Sequence, residues 1–173
     1  PDERLQKLTE LITPNKPVPT TFEFTDIAGI VKGASKGEGL GNKFLANIRE
    51  VDAIVHVVRA FDDENVMREQ GREDAFVDPI ADIDTINLEL ILADLESINK
   101  RYARVEKMAR TQKDKDSVAE FTVLEKIKPV LEDGKSARTV SFTDEEQKIV
   151  KQLFLLTTKP VLYVANVDED KVA

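Results

Sequence analysis

The chain has 173 residues, a formal net charge of -8 and no cysteine. The length suits one domain, or one domain with an insertion, and the missing thiols exclude a disulfide framework and a thiolate metal site. The acidic balance argues against a surface that binds nucleic acid throughout, though not against a local basic patch. No apolar run approaches the roughly 18 residues of a membrane span and no signal-peptide pattern opens the chain, so a cytoplasmic setting with no membrane partner is expected.

The first expected element is a short amphipathic helix from Asp2 to Ile12, capped by Asp2, with Leu5, Leu8, Leu11 and Ile12 on one face. Pro14, Pro17 and Pro19 then break any helix. Thr20 to Thr25 alternates Phe22 and Phe24 with polar residues, the pattern of a strand with one buried face. It ends at Asp26, and Gly29, Gly33, Gly37, Gly39 and Gly41 follow. Such a density of glycine makes a loop that bends or lies close to a neighbour. Asn42 to Glu50 reads as a helix burying Phe44, Leu45 and Ile48. Ala53 to Ala60, AIVHVVRA, has the β-branched run of a strand buried on both faces of a parallel sheet. A polar loop from Asp62 to Asp78 follows it.

From Asp82 the period changes. Leu88, Ile91, Leu95, Ile98, Tyr102 and Val105 are spaced alternately three and four apart, which is an a/d seam. Val118, Phe121, Leu124, Ile127 and Leu131 supply a facing stripe, with the polar stretch Thr111 to Asp116 as the turn. Pro129 is expected to kink or end the second helix and Gly134 to close it. Residues 81–133 therefore read as an antiparallel helical hairpin and a candidate insertion. Its basic run, Lys100, Arg101, Arg104, Lys107, Arg110, Lys113 and Lys115, reads first as a solvated face. Thr143 and Glu146 form a capping box that opens a helix reaching about Leu156. Val161 to Ala165, VLYVA, is a second buried strand, ending at Asn166.

Two strand ends carry polar signatures, and an open α/β sheet places its ligands outside such ends. In Asp26-Ile27-Ala28-Gly29, the carboxylate can hold Mg²⁺ through water, and the glycine lets a phosphate meet a backbone N–H. The plain alternative is an Asp that starts a tight turn. In Asn166-Val167-Asp168-Glu169, the amide offers a donor and an acceptor to a purine edge, and a later carboxylate can accept from a ring or exocyclic N–H. The plain alternative there is a polar turn. His56, the single histidine, lies in mid-strand, which favours a core histidine over a general base.

The stretch Asp26 to Phe44, DIAGIVKGASKGEGLGNKF, resembles the γ-phosphate-sensing switch of the Obg-type GTPases. The continuation Asn47 to Asp63, NIREVDAIVHVVRAFDD, together with the helical hairpin, narrows the likeness to the YchF/Obg-like ATPase family over essentially the whole chain. The resemblance implies an α/β fold: a partial P-loop G domain with a mostly parallel sheet, residues 1–80 and 134–173, and an inserted antiparallel hairpin, residues 81–133. It implies a ribosome-associated nucleotidase that binds and slowly hydrolyses ATP with Mg²⁺ and tolerates GTP. Its expected partner is the large ribosomal subunit, with RNA contact through the hairpin. On that likeness Asp26 serves metal and nucleotide, Gly29 the phosphate, and Asn166, Val167 and Glu169 the base.

The chain departs from the common pattern of such domains. Val167 and Glu169 stand where most GTPases have Lys and Asp, so guanine reading weakens and ATP is expected first. Asp168 sits one position too early to grip guanine. Ile30, followed by Val31, stands at the catalytic position where Ras-like enzymes keep a water-orienting glutamine. An aliphatic side chain cannot orient water, so slow hydrolysis is expected, with another group or a partner doing the orienting. The loop Asp62 to Arg72 has Arg68 and Arg72 but no histidine. No Gly-x-x-x-x-Gly-Lys-Ser/Thr is present. On the resemblance, that cradle and a C-terminal TGS domain lie outside these residues, and the chain starts at Pro1 without an initiator Met. This chain alone is therefore expected to bind nucleotide feebly and to be inactive. The alternatives are a conventional Obg-type GTPase or, in this form, only a ribosome- or protein-binding helical module.

Overall fold

The computed structural model describes residues 2–27, 40–61, 77–112 and 114–172. Gly29, Ile30, Lys113 and most of the loop from Asp62 to Asp78 lie outside them. The described elements run α1 (Glu3–Ile12), α2 (Leu40–Glu50), β1 (Ile54–Arg59), α3 (Pro79–Gln112), α4 (Lys115–Glu132), α5 (Asp144–Leu153) and β2 (Val161–Asn166), with short 3-10 turns between and after them. The two strands pair in parallel, from Ile54 opposite Val161 to Arg59 opposite Asn166. This is the α/β architecture expected, and all of α3, α4 and α5 lie in the crossover between the strands.

Helix ends follow local chemistry. The Asp2 carboxylate accepts from the Arg4 N–H at 2.9 Å and starts α1. At α5, Thr143 Oγ1 accepts from the Glu146 N–H at 3.3 Å and Glu146 Oε2 accepts from the Thr143 N–H at 2.9 Å, completing the capping box. Helix α4 passes through Pro129 and ends at Glu132, rather than stopping at the proline. The proline costs the helix its own N–H bond to the Glu125 carbonyl, and only three residues follow it before α4 ends. The closure comes at Gly134, with φ +70°: its N–H bonds the Leu131 carbonyl at 3.0 Å, and the Lys135 N–H bonds the Val130 carbonyl at 2.9 Å. The hairpin turn is tighter than the polar stretch suggested. Asp114 caps α4 directly, accepting from the Ser117 N–H at 3.0 Å.

Helices α3 and α4 pack as an arm. Ile98, Val105, Val123, Leu124, Ile127 and Leu131 form its buried seam, and each fully buried aliphatic contributes on the order of 1.5–3 kcal/mol. Tyr102 and Phe121 meet with ring centroids 5.0 Å apart, and Arg101 pairs with Glu120 across the helices. Leu88 and Val118, expected on the seam, are 50% and 43% exposed instead. The reason at Leu88 is that the first turns of α3 pack on another cluster, where Leu90 and Ala93 meet Leu45 and Ile48 of α2 and Leu156.

The expected strand at Thr20–Thr25 does not form, and Phe22 and Phe24 are 84% and 81% exposed. A strand exists only in a ladder, and no described segment pairs with this one. Nor are the two strands buried on both faces. Val55, Val57, Leu162 and Val164 share an open face, because no described element covers it. In α1 the apolar stripe forms but is unpartnered, with Leu8, Leu11 and Ile12 exposed.

A buried carboxylate joins the pieces. Asp94, on α3, has no exposed surface. Its oxygens accept from the Leu156 N–H at 2.9 Å, the Thr157 N–H at 2.8 Å and Thr157 Oγ1 at 2.7 Å. Thr157 Oγ1 in turn accepts from the Ala137 N–H at 3.1 Å, just beyond the end of α4. Burial pushes the Asp94 carboxyl above its usual range, and the Thr157 and Leu156 donors and Arg49 pull it back. Removing the carboxylate orphans two buried N–H groups. We expect Asp94→Ala to cost about 2–4 kcal/mol, read as a lower denaturant midpoint; a loss within experimental error refutes this role. The Lys126 ammonium, 2.6 Å from Glu146, and the Thr143 N–H hold the Glu146 carboxyl below its ordinary value of 4.5. Its contribution is present above that value and lost as pH falls through the lowered one. The gap in unfolding midpoint between the unsubstituted protein and Glu146→Gln is therefore expected to be constant near neutrality and to close in acid.

Candidate functional site

The carboxyl edge of the sheet is formed by the ends of β1 and β2. The Ala60 N–H donates to the Asn166 carbonyl at 2.8 Å, so the backbone of Asn166 is fixed to β1 while its side chain stays exposed. The chain then turns. Asp168 precedes a 3-10 turn, Glu169–Lys171, and its carboxylate accepts from Lys171 Nζ at 2.6 Å. Asp168 is thus engaged locally, whereas Glu169 is exposed. Val167, between Asn166 and Asp168, is half-buried. The arrangement leaves an amide and a carboxylate open to solvent at one strand end, both anchored through the backbone.

Asp26 is exposed and has no ion pair with a described residue. Ile27 fixes its position by packing against the cluster of Leu45, Ile48, Leu90, Ala93 and Leu156. No described hydrogen bond joins Asp26 to Asn166, Val167 or Glu169. No group of three or more His, Asp or Glu side chains that could cage a metal occurs among the described residues. A lone exposed carboxylate fits Mg²⁺ only as a partial ligand, the usual case when phosphates supply the rest.

His56 is half-buried rather than enclosed. Its ring meets Tyr163 of β2, the centroids 5.6 Å apart, and burial lowers its pKa against an opposing pull from Asp82. The Tyr163 hydroxyl accepts from Asn87 Nδ2 at 3.4 Å, so this contact supports the packing of α3 on the sheet. Arg59 escaped the sequence reading. It ends β1 opposite Asn166, and its guanidinium lies 4.8 Å from the Phe61 ring centre. The signal was there: an arginine closing a strand that is apolar but for His56. Asp94 was missed too, an aspartate one turn from seam residues of a helix read only for its apolar period.

Residues 5–167 match the family model described as 50S ribosome-binding GTPase. The Bacillus subtilis protein named "Ribosome-binding ATPase YchF" is 68% identical over 100% of this chain and 46% of its own length. The Escherichia coli O157:H7 protein of the same name is 50% identical over 98% of this chain and 46% of its own. The solved structure titled "Structure of the Schizosaccharomyces pombe YchF GTPase" matches with a TM-score of 0.75 and 39% identity, covering 98% of this chain and 45% of that one. The chain thus spans a little under half the length of the relatives it matches. With the family model running through both strands, the arm and the Asn166 edge, this chain belongs to the 50S ribosome-binding GTPase family, and its fold is that of a G domain like those of the YchF proteins.

Proposed function

We propose that the protein to which these residues belong is a cytoplasmic, ribosome-binding nucleoside-triphosphate hydrolase that prefers ATP and tolerates GTP. Residues 1–80 and 134–173 form its partial G domain and 81–133 its inserted arm. Asn166, Val167 and Glu169 contact the base. Asp26 lies on the phosphate side and would hold Mg²⁺ through water, with Gly29 meeting the phosphate; the metal would neutralise phosphate charge.

The observation that carries the reading is the arrangement at the carboxyl edge. Asp168 is occupied by Lys171 at 2.6 Å, so the exposed carboxylate is that of Glu169. A glutamate is one methylene longer than aspartate and cannot hold the same point against a guanine edge. Adenine lacks the guanine donors and loses nothing. The relatives' names divide on this very point, ATPase for the bacterial proteins and GTPase for the solved one. Ile30 at the catalytic position supports slow turnover, because an aliphatic group orients no water.

Turnover of ATP and GTP by the full-length protein tests the preference. Restoring the guanine-reading residues with Val167→Lys and Glu169→Asp together is expected to lower the ATP-to-GTP ratio of kcat/KM at least about tenfold, the worth of one charge-assisted hydrogen bond. An unchanged ratio sinks the assignment. The 173-residue chain alone, titrated with a fluorescent ATP analogue, is expected to bind feebly; micromolar binding would refute the need for a phosphate cradle outside it.

The ribosome contact is assigned to the arm. Lys100 pairs with Glu96 at 2.5 Å and Arg110 with Glu106 at 3.0 Å, while Arg104 and Lys107 are exposed with no ion pair among the described residues. These free cations support an RNA contact on the large subunit. Reversing Lys100, Arg104 and Lys107 to Glu is expected to weaken co-sedimentation with large subunits and flatten its salt dependence. If binding is unchanged, the face is merely solvated.

A further inference from the structure

The two helices of the arm differ in charge. In the outer half of α3, residues 98–112, five cations stand against one carboxylate, Glu106. In residues 114–133, which hold α4, six carboxylates stand against three lysines. Lys100, Arg104, Lys107 and Thr111 follow one another at steps of four, three and four residues. All are exposed, on the side of α3 away from the buried Ile98, Val105 and Ala109. They make one stripe about 16 Å long, at 1.5 Å of rise per residue. The outward stripe of α4 is different. Ala119, Thr122 and Pro129 are exposed and uncharged, Lys115 opens it, and Lys126 is held by Glu146 at 2.6 Å. Asp116 and Glu125 are exposed on α4 with no ion pair among the described residues.

We propose that the arm meets RNA through α3 alone, with its outward stripe laid along the phosphate backbone and α4 turned away. The inference rests on the ribosome reading above and adds which side of the arm docks and which part of the RNA it recognises.

The cations of the stripe are available. Arg104 and Lys107 have no ion pair among the described residues. Lys100 pairs only with Glu96 on the same exposed helix face, a contact that water leaves weak and that a phosphate can displace. Arg101, by contrast, is turned to Glu120 across the arm. The stripe offers nothing for bases to stack on. Tyr102 and Phe121 face each other, their ring centroids 5.0 Å apart, and Lys128 and Arg110 lie 4.7 and 6.0 Å from the centres of those rings. Recognition of unpaired bases rests on stacking. Without it the stripe reads charge, and the charge of RNA is on its phosphates. A protein partner fits less well. The large apolar side chain beside the stripe is Met108, 39% exposed, and one methionine is not the apolar centre on which a protein interface is built. The excess of carboxylates on α4 repels the same phosphates, so the charge difference between the helices sets the roll of the arm about its long axis.

A photo-crosslinking residue, p-benzoylphenylalanine, installed at position 103 or at position 122 of the full-length protein bound to large ribosomal subunits, tests the side. Ala103 borders the α3 stripe and Thr122 lies on the α4 stripe, and both are exposed. Position 103 is expected to crosslink to ribosomal RNA, and position 122 is not. Arg104→Gln with Lys107→Gln, two surface changes, is expected to lower the slope of log affinity against log salt by about 1.4 to 1.8, whereas Glu125→Gln leaves it unchanged. Crosslinking to RNA from position 122, alone or equally, overturns the proposal, and so do crosslinks from position 103 to ribosomal protein in place of RNA. An unchanged salt slope in the double variant overturns it too. Each of these outcomes leaves the ribosome reading intact, because the subunit is bound in all of them. Failure of the unsubstituted full-length protein to co-sediment with large subunits overturns both.

Discussion

The Asp94 carboxylate is the constraint on which the rest of the fold depends. It enters from the first half of α3, stays fully buried, and holds the N–H groups of Leu156 and Thr157 and the Thr157 hydroxyl. Thr157 passes the restraint on, to the Ala137 N–H through its hydroxyl and to Arg138 through its carbonyl, the latter at 2.9 Å. Both roots of the arm thereby converge on one turn. A charge placed in a low-dielectric interior is costly unless donors surround it. Here three donors and a nearby guanidinium do so, and no buried side-chain polar atom among the described residues is left without a partner. The site specifies how the arm meets the sheet, because an apolar contact alone would leave its register free.

Away from that node the structure divides sharply. The arm is closed upon itself through the Ile98, Val123, Leu124 and Ile127 seam. The sheet is not. Its outer face carries Val55, Val57, Leu162 and Val164 in the open, and Phe22 and Phe24 stand exposed on an extended segment. Apolar side chains in that number on one strand face are the signature of a surface meant to be covered. The relatives, more than twice this length, agree in scale with that reading.

What could be read from the sequence was whatever local chemistry decides. The capping box at Thr143 and Glu146, the glycine closure at Gly134 and the arm's alternating three-and-four spacing all depend on neighbours within a few residues, and all formed. The failures are of the opposite kind. The Thr20–Thr25 segment has a strand's pattern, yet a pattern does not supply a hydrogen-bonding partner. Leu88 keeps the seam's period, but α3 has already turned to serve a second cluster there. Asp94 was invisible for the same reason: its partners lie more than sixty positions away, at Leu156 and Thr157. At the candidate site, the sequence placed Asn166 at a strand end, where the structure has it, and the Asp168 carboxylate accepts from Lys171. Gly29 and Ile30 lie outside the described residues.

The Asn166 edge of the sheet and the arm share a foundation. The turn held by Asp94 ends at Thr158, Lys159 grips the end of α2, and β2 starts at Val161 and delivers Asn166 at its last position. Six strand residues span only about 20 Å, so the exposed Asn166 amide stands one short strand from the turn that Asp94 holds. A base held at Asn166, as proposed above, would therefore lie on the same backbone segment that anchors the arm. Thr157 thus ties the strand that ends at Asn166 and the root of the arm to one buried carboxylate.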